Sequence, residues 1–292
     1  MLVQFDCFKC IFNQITEMAR QSSGDDRVRR EMLRSFMEEV LKRAENSTPP
    51  EMAASFYEIY RRETGIEDPF AEEKGKSTAL ALRLFDELAE TVARAEDPFE
   101  SAVRLAIGGN VIDFGATPDF RLSDAAEAIR ETADLPLDRV MLEELRRTAE
   151  RAGTVFYILD NCGEAVIDRL LMEEIGTDKV TLGVRGKAIL NDVTRAELED
   201  SGLADLPVLD TGDRAPGVSL RHSSREFLDF MRRADLVIAK GQGNFESLCD
   251  APDNENMFFL FRVKCPVISA LTGAAPGTLQ IRRGANFADF RR

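Results

Sequence analysis

The chain has one histidine, five cysteines, no apolar run long enough to cross a membrane, and fewer basic than acidic residues. Each shortage excludes something. Zinc centres draw on histidine and thiolate ligands, and His222 stands without a partner motif, so it reads as a surface or polar-network residue. An odd number of cysteines in a long chain argues against a disulfide framework and for a reducing compartment. Cys7-Phe8-Lys9-Cys10 is the one close pair. Zinc would need a second pair, and thioredoxin-type redox chemistry would need a βαβ setting, so the pair reads as structural. The longest apolar runs are strand-sized, which predicts no transmembrane helix. The opening Met1–Cys7 stretch shows no basic segment followed by an apolar one, so no secretory leader is expected and the predicted location is the cytoplasm. Lys and Arg number 38 against 52 Asp and Glu, a formal charge of −14. That field repels nucleic acid and anionic lipid, so neither is an expected partner. An anionic small molecule would need a local positive feature or a metal ion to bind.

What is present falls into two patterns. The first hundred residues carry helical periodicity. Between Asp25 and Ala44, Val28, Met32, Phe36 and Val40 recur every four residues, with Leu33 and Leu41 widening the stripe; this predicts a helix with one buried face. Thr48-Pro49-Pro50-Glu51 joins a capping box to proline in the first turn and predicts the start of another. Leu80, Leu84, Leu88 and Val92 mark a further helix, and Asp97-Pro98-Phe99-Glu100 opens one toward Ala106.

From about Gly153 the period changes. Short apolar runs appear at Val155–Leu159, Val180–Val184, Leu206–Leu209, Leu236–Ala239 and Met257–Phe261. Runs of this length that are apolar on both faces belong in a parallel sheet covered by helices. Helices are expected over Glu164–Ile175, Thr194–Asp200 and Ser223–Arg233, with a shorter one beginning near Asn244. The prediction is an α/β fold, with a helical N-terminal region over residues 1–108 packed on an open, mostly parallel, doubly wound sheet over residues 109–292.

Open α/β sheets bind ligands beyond the carboxyl ends of their strands, so the residues after each run carry the functional reading. The first run ends in Asp160-Asn161-Cys162-Gly163-Glu164, and the second leads through Arg185-Gly186-Lys187 to Asn191-Asp192-Val193-Thr194. The later runs end in Asp210, in Lys240-Gly241-Gln242-Gly243-Asn244 and in Lys264-Cys265. Asp160, Asn161 and Asp192 offer two carboxylates and an amide oxygen, donors that suit a hard divalent cation. A helix cap in a turn explains Asp160-Asn161 alone; Asp192 in a second strand-end turn moves the reading toward metal. Lys240 and Lys264 are candidates to neutralise phosphate oxygens. Gly241, Gly243 and Asn244 would let backbone N–H groups approach an anion at a helix start. Glu246 either orients a water or complements the helix dipole. Gly108-Gly109-Asn110-Val111-Ile112-Asp113 reads as an interdomain turn or a ligand-facing loop, with Asn110 and Asp113 toward the cleft.

These strings, in this order from Cys7 to Lys264, resemble the damage-control phosphatase family, and the Cys-x-x-Cys resembles its prokaryotic and archaeal branch. The resemblance implies one divalent ion (Mn²⁺, Mg²⁺, Co²⁺ or Ni²⁺) and hydrolysis of small phosphomonoester metabolites such as sugar phosphates or phosphopantetheine-like compounds. It carries the metal role to Asp160, Asn161 and Asp192, phosphate contact to Lys264, and more general catalytic or substrate roles to Asp160, Glu246, Asn110, Asp113 and Arg185. A covalent role for Asp160 of the haloacid-dehalogenase kind is disfavoured, because the second aspartate expected two residues on is Cys162. The competing readings are a nucleoside-cofactor enzyme such as a methyltransferase and a non-catalytic metabolite-binding protein.

Overall fold

A computed structural model describes residues 1–109, 131–132, 135–252 and 254–284. Helices fill the first part: α1 (Cys7–Ser22), α2 (Asp26–Arg43), α3 (Pro49–Thr64), α4 (Ala71–Arg94) and α5 (Pro98–Gly108). Their ends follow local chemistry. The Thr48 hydroxyl accepts from the Glu51 N–H while the Glu51 carboxylate accepts from the Thr48 N–H, closing the expected capping box of α3. Gly65, left-handed at φ 74°, ends that helix. Asp97 caps α5 by accepting from the Glu100 N–H.

The second part alternates. After α6 (Arg139–Arg151) come β1 (Val155–Ile158), α7 (Cys162–Ile175), β2 (Val180–Val184), β3 (Val208–Asp210), α8 (Arg225–Arg233), β4 (Leu236–Lys240), α9 (Gly241–Leu248), β5 (Met257–Arg262), α10 (Pro266–Thr272) and β6 (Leu279–Arg283). The strand order is β3-β2-β1-β4-β5-β6. All neighbours are parallel except β5 and β6. The chain winds outward from β1 in one direction and then from β4 in the other, so the order reverses between them. That crevice is the switch point where this architecture binds ligands.

The continuous apolar runs are explained by burial on both faces. Val155, Tyr157, Leu236, Ile238, Phe258 and Leu260 join the core beneath α4, α5, α6 and α7. Their neighbours Phe156, Ile158, Val237, Ala239, Phe259 and Phe261 join the opposite core beneath α8, α9 and α10. Each strand thus places odd and even residues in different cores, as a period of two requires. A third cluster holds α1, α2 and α3 together through Ile15, Phe36, Met52 and Phe56, and Ile189 from the α/β part enters it. Helices α4 and α5 pack directly on α7.

Four elements depart from the sequence reading. Residues 194–200 form only a 3-10 turn, Arg195–Glu197, because the Glu197 carboxylate folds back on the Thr194 N–H and hydroxyl; Gly202, at φ 70°, then turns the chain. Helix α9 starts at Gly241, three residues before Asn244. The antiparallel edge strand β6 and helix α6 lay outside the prediction, although α6 carries an Asp138 cap and a buried stripe of Leu142, Leu145 and Ala149. Among the described residues no helix is long and apolar enough to cross a membrane.

Candidate active site

The β1 strand delivers Asp160 and Asn161 to the switch crevice, and a returning loop delivers Asp192. The Val193 N–H donates to the Asp160 carbonyl at 2.9 Å, and the Cys162 N–H donates to the Asn191 carbonyl at 2.9 Å. Asn161 and Asp192 therefore lie opposite one another in an antiparallel bridge. Backbone pairing, rather than side-chain attraction, brings two buried carboxylates together; Asp160 is 8% and Asp192 2% exposed.

Arg185 ties this arrangement from behind and is 1% exposed. Its Nε donates to Asp192 Oδ2 at 2.7 Å and its Nη1 to Asn244 Oδ1 at 3.1 Å. Nη2 lies 3.8 Å from Asp160 Oδ1 and is a buried donor with no hydrogen-bond acceptor among the described residues. Asn244 in turn donates to the Lys240 carbonyl at 2.6 Å, so the guanidinium joins the ends of β1, β2 and β4. Arg185 and Asn244, expected to touch substrate, first of all hold the rim in register.

The negative charge is concentrated. Burial, then the neighbouring Asp192 and Glu164 carboxylates, push the Asp160 carboxyl well above its usual range, while Arg185 and Lys264 pull the other way. Such crowding is costly unless a proton or a cation sits among the oxygens. The Asn161 amide N–H₂ donates to Asp160 Oδ2 and Glu164 Oε2, both at 3.0 Å, which leaves its oxygen as the end that could serve a cation. Among the described residues no three His, Cys, Asp or Glu side chains alone make a metal cage. The donor set is two carboxylates and an amide, the hard-oxygen chemistry that fits Mg²⁺ or Mn²⁺ rather than zinc.

Gly241 serves this set by what it lacks. Its φ of 79° is left-handed, and a Cβ there would lie 1.9 Å from Asp160 Oδ2. Gly243 is glycine for a related reason, since a Cβ would meet the Pro216 carbonyl at 2.1 Å. Both were expected to cradle a substrate anion; the structure shows them making room for a carboxylate and for a neighbouring loop.

On the β4–β5 side the site is more open. Lys264 is exposed at the end of β5, and its N–H donates to Gln242 Oε1 at 2.9 Å. Gln242 Nε2 donates to Glu246 Oε1 at 2.7 Å. Burial pushes the Glu246 carboxyl up to about 7 against the opposing effects of Gln242, the chain's amino terminus and Lys264.

Lys240 departs from its expected role as a phosphate contact. Its side chain takes the same parity as Leu236 and Ile238 and turns under the helices, where it is 0% exposed. The ammonium donates to Glu164 Oε1 at 2.6 Å, Asp168 Oδ1 at 2.5 Å and the Ala106 carbonyl at 2.7 Å. Glu164 and Asp168 were not singled out from sequence as functional. Their signal was there: two acids one helical turn apart among the apolar residues of the buried face of α7. Asn110 and Asp113 lie outside the described residues.

The fold and site define the class: a doubly wound α/β protein with an acidic, oxygen-rich site at its switch point. Comparison with known proteins identifies the family. The damage-control phosphatase ARMT1-like domain matches residues 3–279, and the chain belongs to that family. It is similar to a damage-control phosphatase of Pyrococcus horikoshii (PH1575), 34% identical over 291 residues that cover 97% of this chain and 98% of the relative. It is likewise similar to a damage-control phosphatase of Archaeoglobus fulgidus, 31% identical over 94% of this chain and 96% of the relative. The crystal structure of the P. horikoshii protein, described as a DUF89 family protein, covers 97% of this chain and 99% of its own at a TM-score of 0.87.

Proposed function

We propose that the protein is a divalent-metal-dependent phosphatase acting on small phosphomonoester metabolites, of the sugar-phosphate or phosphopantetheine-like kind. The observation that carries this reading is the convergence of Asp160, Asn161 and Asp192 at the switch crevice, with cationic Arg185 behind and Lys264 in front. Asp160, Asn161 and Asp192 would hold one Mn²⁺, Mg²⁺, Co²⁺ or Ni²⁺ ion, whose bound form supplies Lewis-acid polarisation of a phosphoryl oxygen.

The chain's own residues do the rest. Arg185 Nη2 offers an unspent donor to a phosphate oxygen, and Lys264 offsets the charge of another. Glu246, with its carboxyl raised to about 7, would accept a proton from an attacking water near neutral pH. Asn110 and Asp113 are assigned to the organic part of the substrate on their sequence alone. The relatives named as damage-control phosphatases support the activity class.

The test is hydrolysis of a generic aryl phosphate by chelated protein, with divalent ions added back singly and Asp192→Asn run in parallel. Metal-restored activity that disappears in the variant supports the proposal. No turnover with any ion, in folded protein and across a panel of small phosphometabolites, would favour a binding or cofactor role instead.

A further inference from the structure

The buried pair beneath the site has a direction built into it. Glu164 accepts at both oxygens: Oε1 from the Lys240 ammonium at 2.6 Å and Oε2 from the Asn161 amide nitrogen at 3.0 Å. Lys240 and Glu164 are 0% and 1% exposed, so no solvent shell smears these contacts. An ammonium donates and never accepts, while an amide has one donating and one accepting end. Lys240 therefore demands an acceptor at Oε1, and the second acceptor at Oε2, together with Asp160 Oδ2 at 3.0 Å, then fixes the amide with its nitrogen inward.

We propose that Glu164, held by Lys240, is the positioning residue that sets which end of the Asn161 amide faces a bound cation. This rests on the reading that Asp160, Asn161 and Asp192 hold a divalent ion. Lys240 is then the anchor of an ordered chain, Lys240 to Glu164 to Asn161, and neither Lys240 nor Glu164 touches substrate. Asp168 completes the anchor from the other side, accepting from Lys240 and from the Tyr157 hydroxyl at 2.9 Å.

The chain makes a prediction that packing alone does not. In Glu164→Gln the side chain keeps its shape but gains a donor. Lys240 still requires an acceptor, so the new N–H₂ must face Asn161, donor against donor. The Asn161 amide is driven to turn over and present its nitrogen to the ion. Replacing Asn161→Asp in the same chain removes the conflict, because a carboxylate has no donating end and accepts from the new amide. The double variant restores a matched pair.

The measurement is Mn²⁺ affinity by titration calorimetry on chelated, full-length protein, with thermal unfolding of each metal-free variant as the check on folding. Glu164→Gln is expected to bind Mn²⁺ at least about tenfold more weakly than wild type, the usual scale for loss of an outer-shell partner. Adding Asn161→Asp is expected to recover most of that loss. Lys264→Ala, which removes a cation from the open side, is expected to bind Mn²⁺ no more weakly than wild type. Wild-type affinity in folded Glu164→Gln overturns this inference alone, as does a double variant that binds no better than Glu164→Gln. If wild type itself binds no Mn²⁺, the metal reading fails and this inference fails with it. Should Glu164→Gln not fold, the comparison of the double variant with Asn161→Asp alone decides: equal affinity supports the inference, and a tenfold deficit overturns it.

Discussion

The two sides of the rim are built differently. On the β1–β2 side, Asp160, Asn161, Asp192 and Arg185 are buried and cross-tied by backbone pairing and charged hydrogen bonds. On the β4–β5 side, Lys264 is exposed and Glu246 half-buried, linked through the single amide of Gln242. The first side is rigid before any ligand arrives, which suits holding an ion. The second leaves side-chain freedom, which suits meeting substrates of varied shape and moving a proton. The difference teaches that the fold's preorganisation is spent where position matters most.

This contrast can be broken in several ways. The largest effect is expected from Asp192→Asn on the rigid side, with metal-restored aryl phosphate turnover falling by about a thousandfold, several kcal/mol of lost Lewis-acid assistance. Steady-state kinetics across a range of added Mn²⁺ measures it. On the open side Glu246→Gln is expected to cost about a hundredfold, the scale of one general base. The pH profile sharpens that prediction. A base that must be ionised makes the wild-type rate rise through about pH 7, and the variant should lose that limb.

The third expectation concerns the metal-free protein. The carboxyls of Asp160, Asp168 and Glu246 are raised chiefly by burial, the latter two to about 7. A raised carboxyl takes up a proton on folding between its unfolded and folded values. Stability should therefore fall as pH rises from about 4.5 to 7, by up to about 1.4 kcal/mol per pH unit for each such proton. Urea unfolding at several pH values measures the slope, and Mn²⁺ should flatten it by favouring ionised Asp160. The smallest effect belongs to a residue on neither side. Thr48→Ala removes half of the α3 capping box and should cost about 1 kcal/mol in thermal unfolding, with turnover unchanged.

Much of this was readable from residue order. Doubly apolar runs of five residues gave the parallel sheet, and Asp-Asn at the end of one run gave the first half of the proposed ion site. Asp192 was readable as a third donor beside Asp160 and Asn161, but the bridge that sets it opposite Asn161 was not, because that is a long-range backbone pairing. Lys240 shows where the reading stopped short. Its place at a strand end suggested a solvent-facing cation, yet its parity with Leu236 and Ile238 already placed it on the α7 side. Glu164 and Asp168, spaced one turn apart, were the matching acids. Strand β6 stayed hidden because its polar residues Gln280, Arg282 and Arg283 dilute the apolar signal, as an edge strand permits.

The most direct measurement is a Mn²⁺ titration of chelated protein in which bound ion and aryl phosphate hydrolysis are followed on the same sample. The account predicts one ion per chain at a site lost in Asp192→Asn, with turnover rising in step with occupancy. Full turnover in ion-free protein, or an ion bound equally well by the variant, would contradict it.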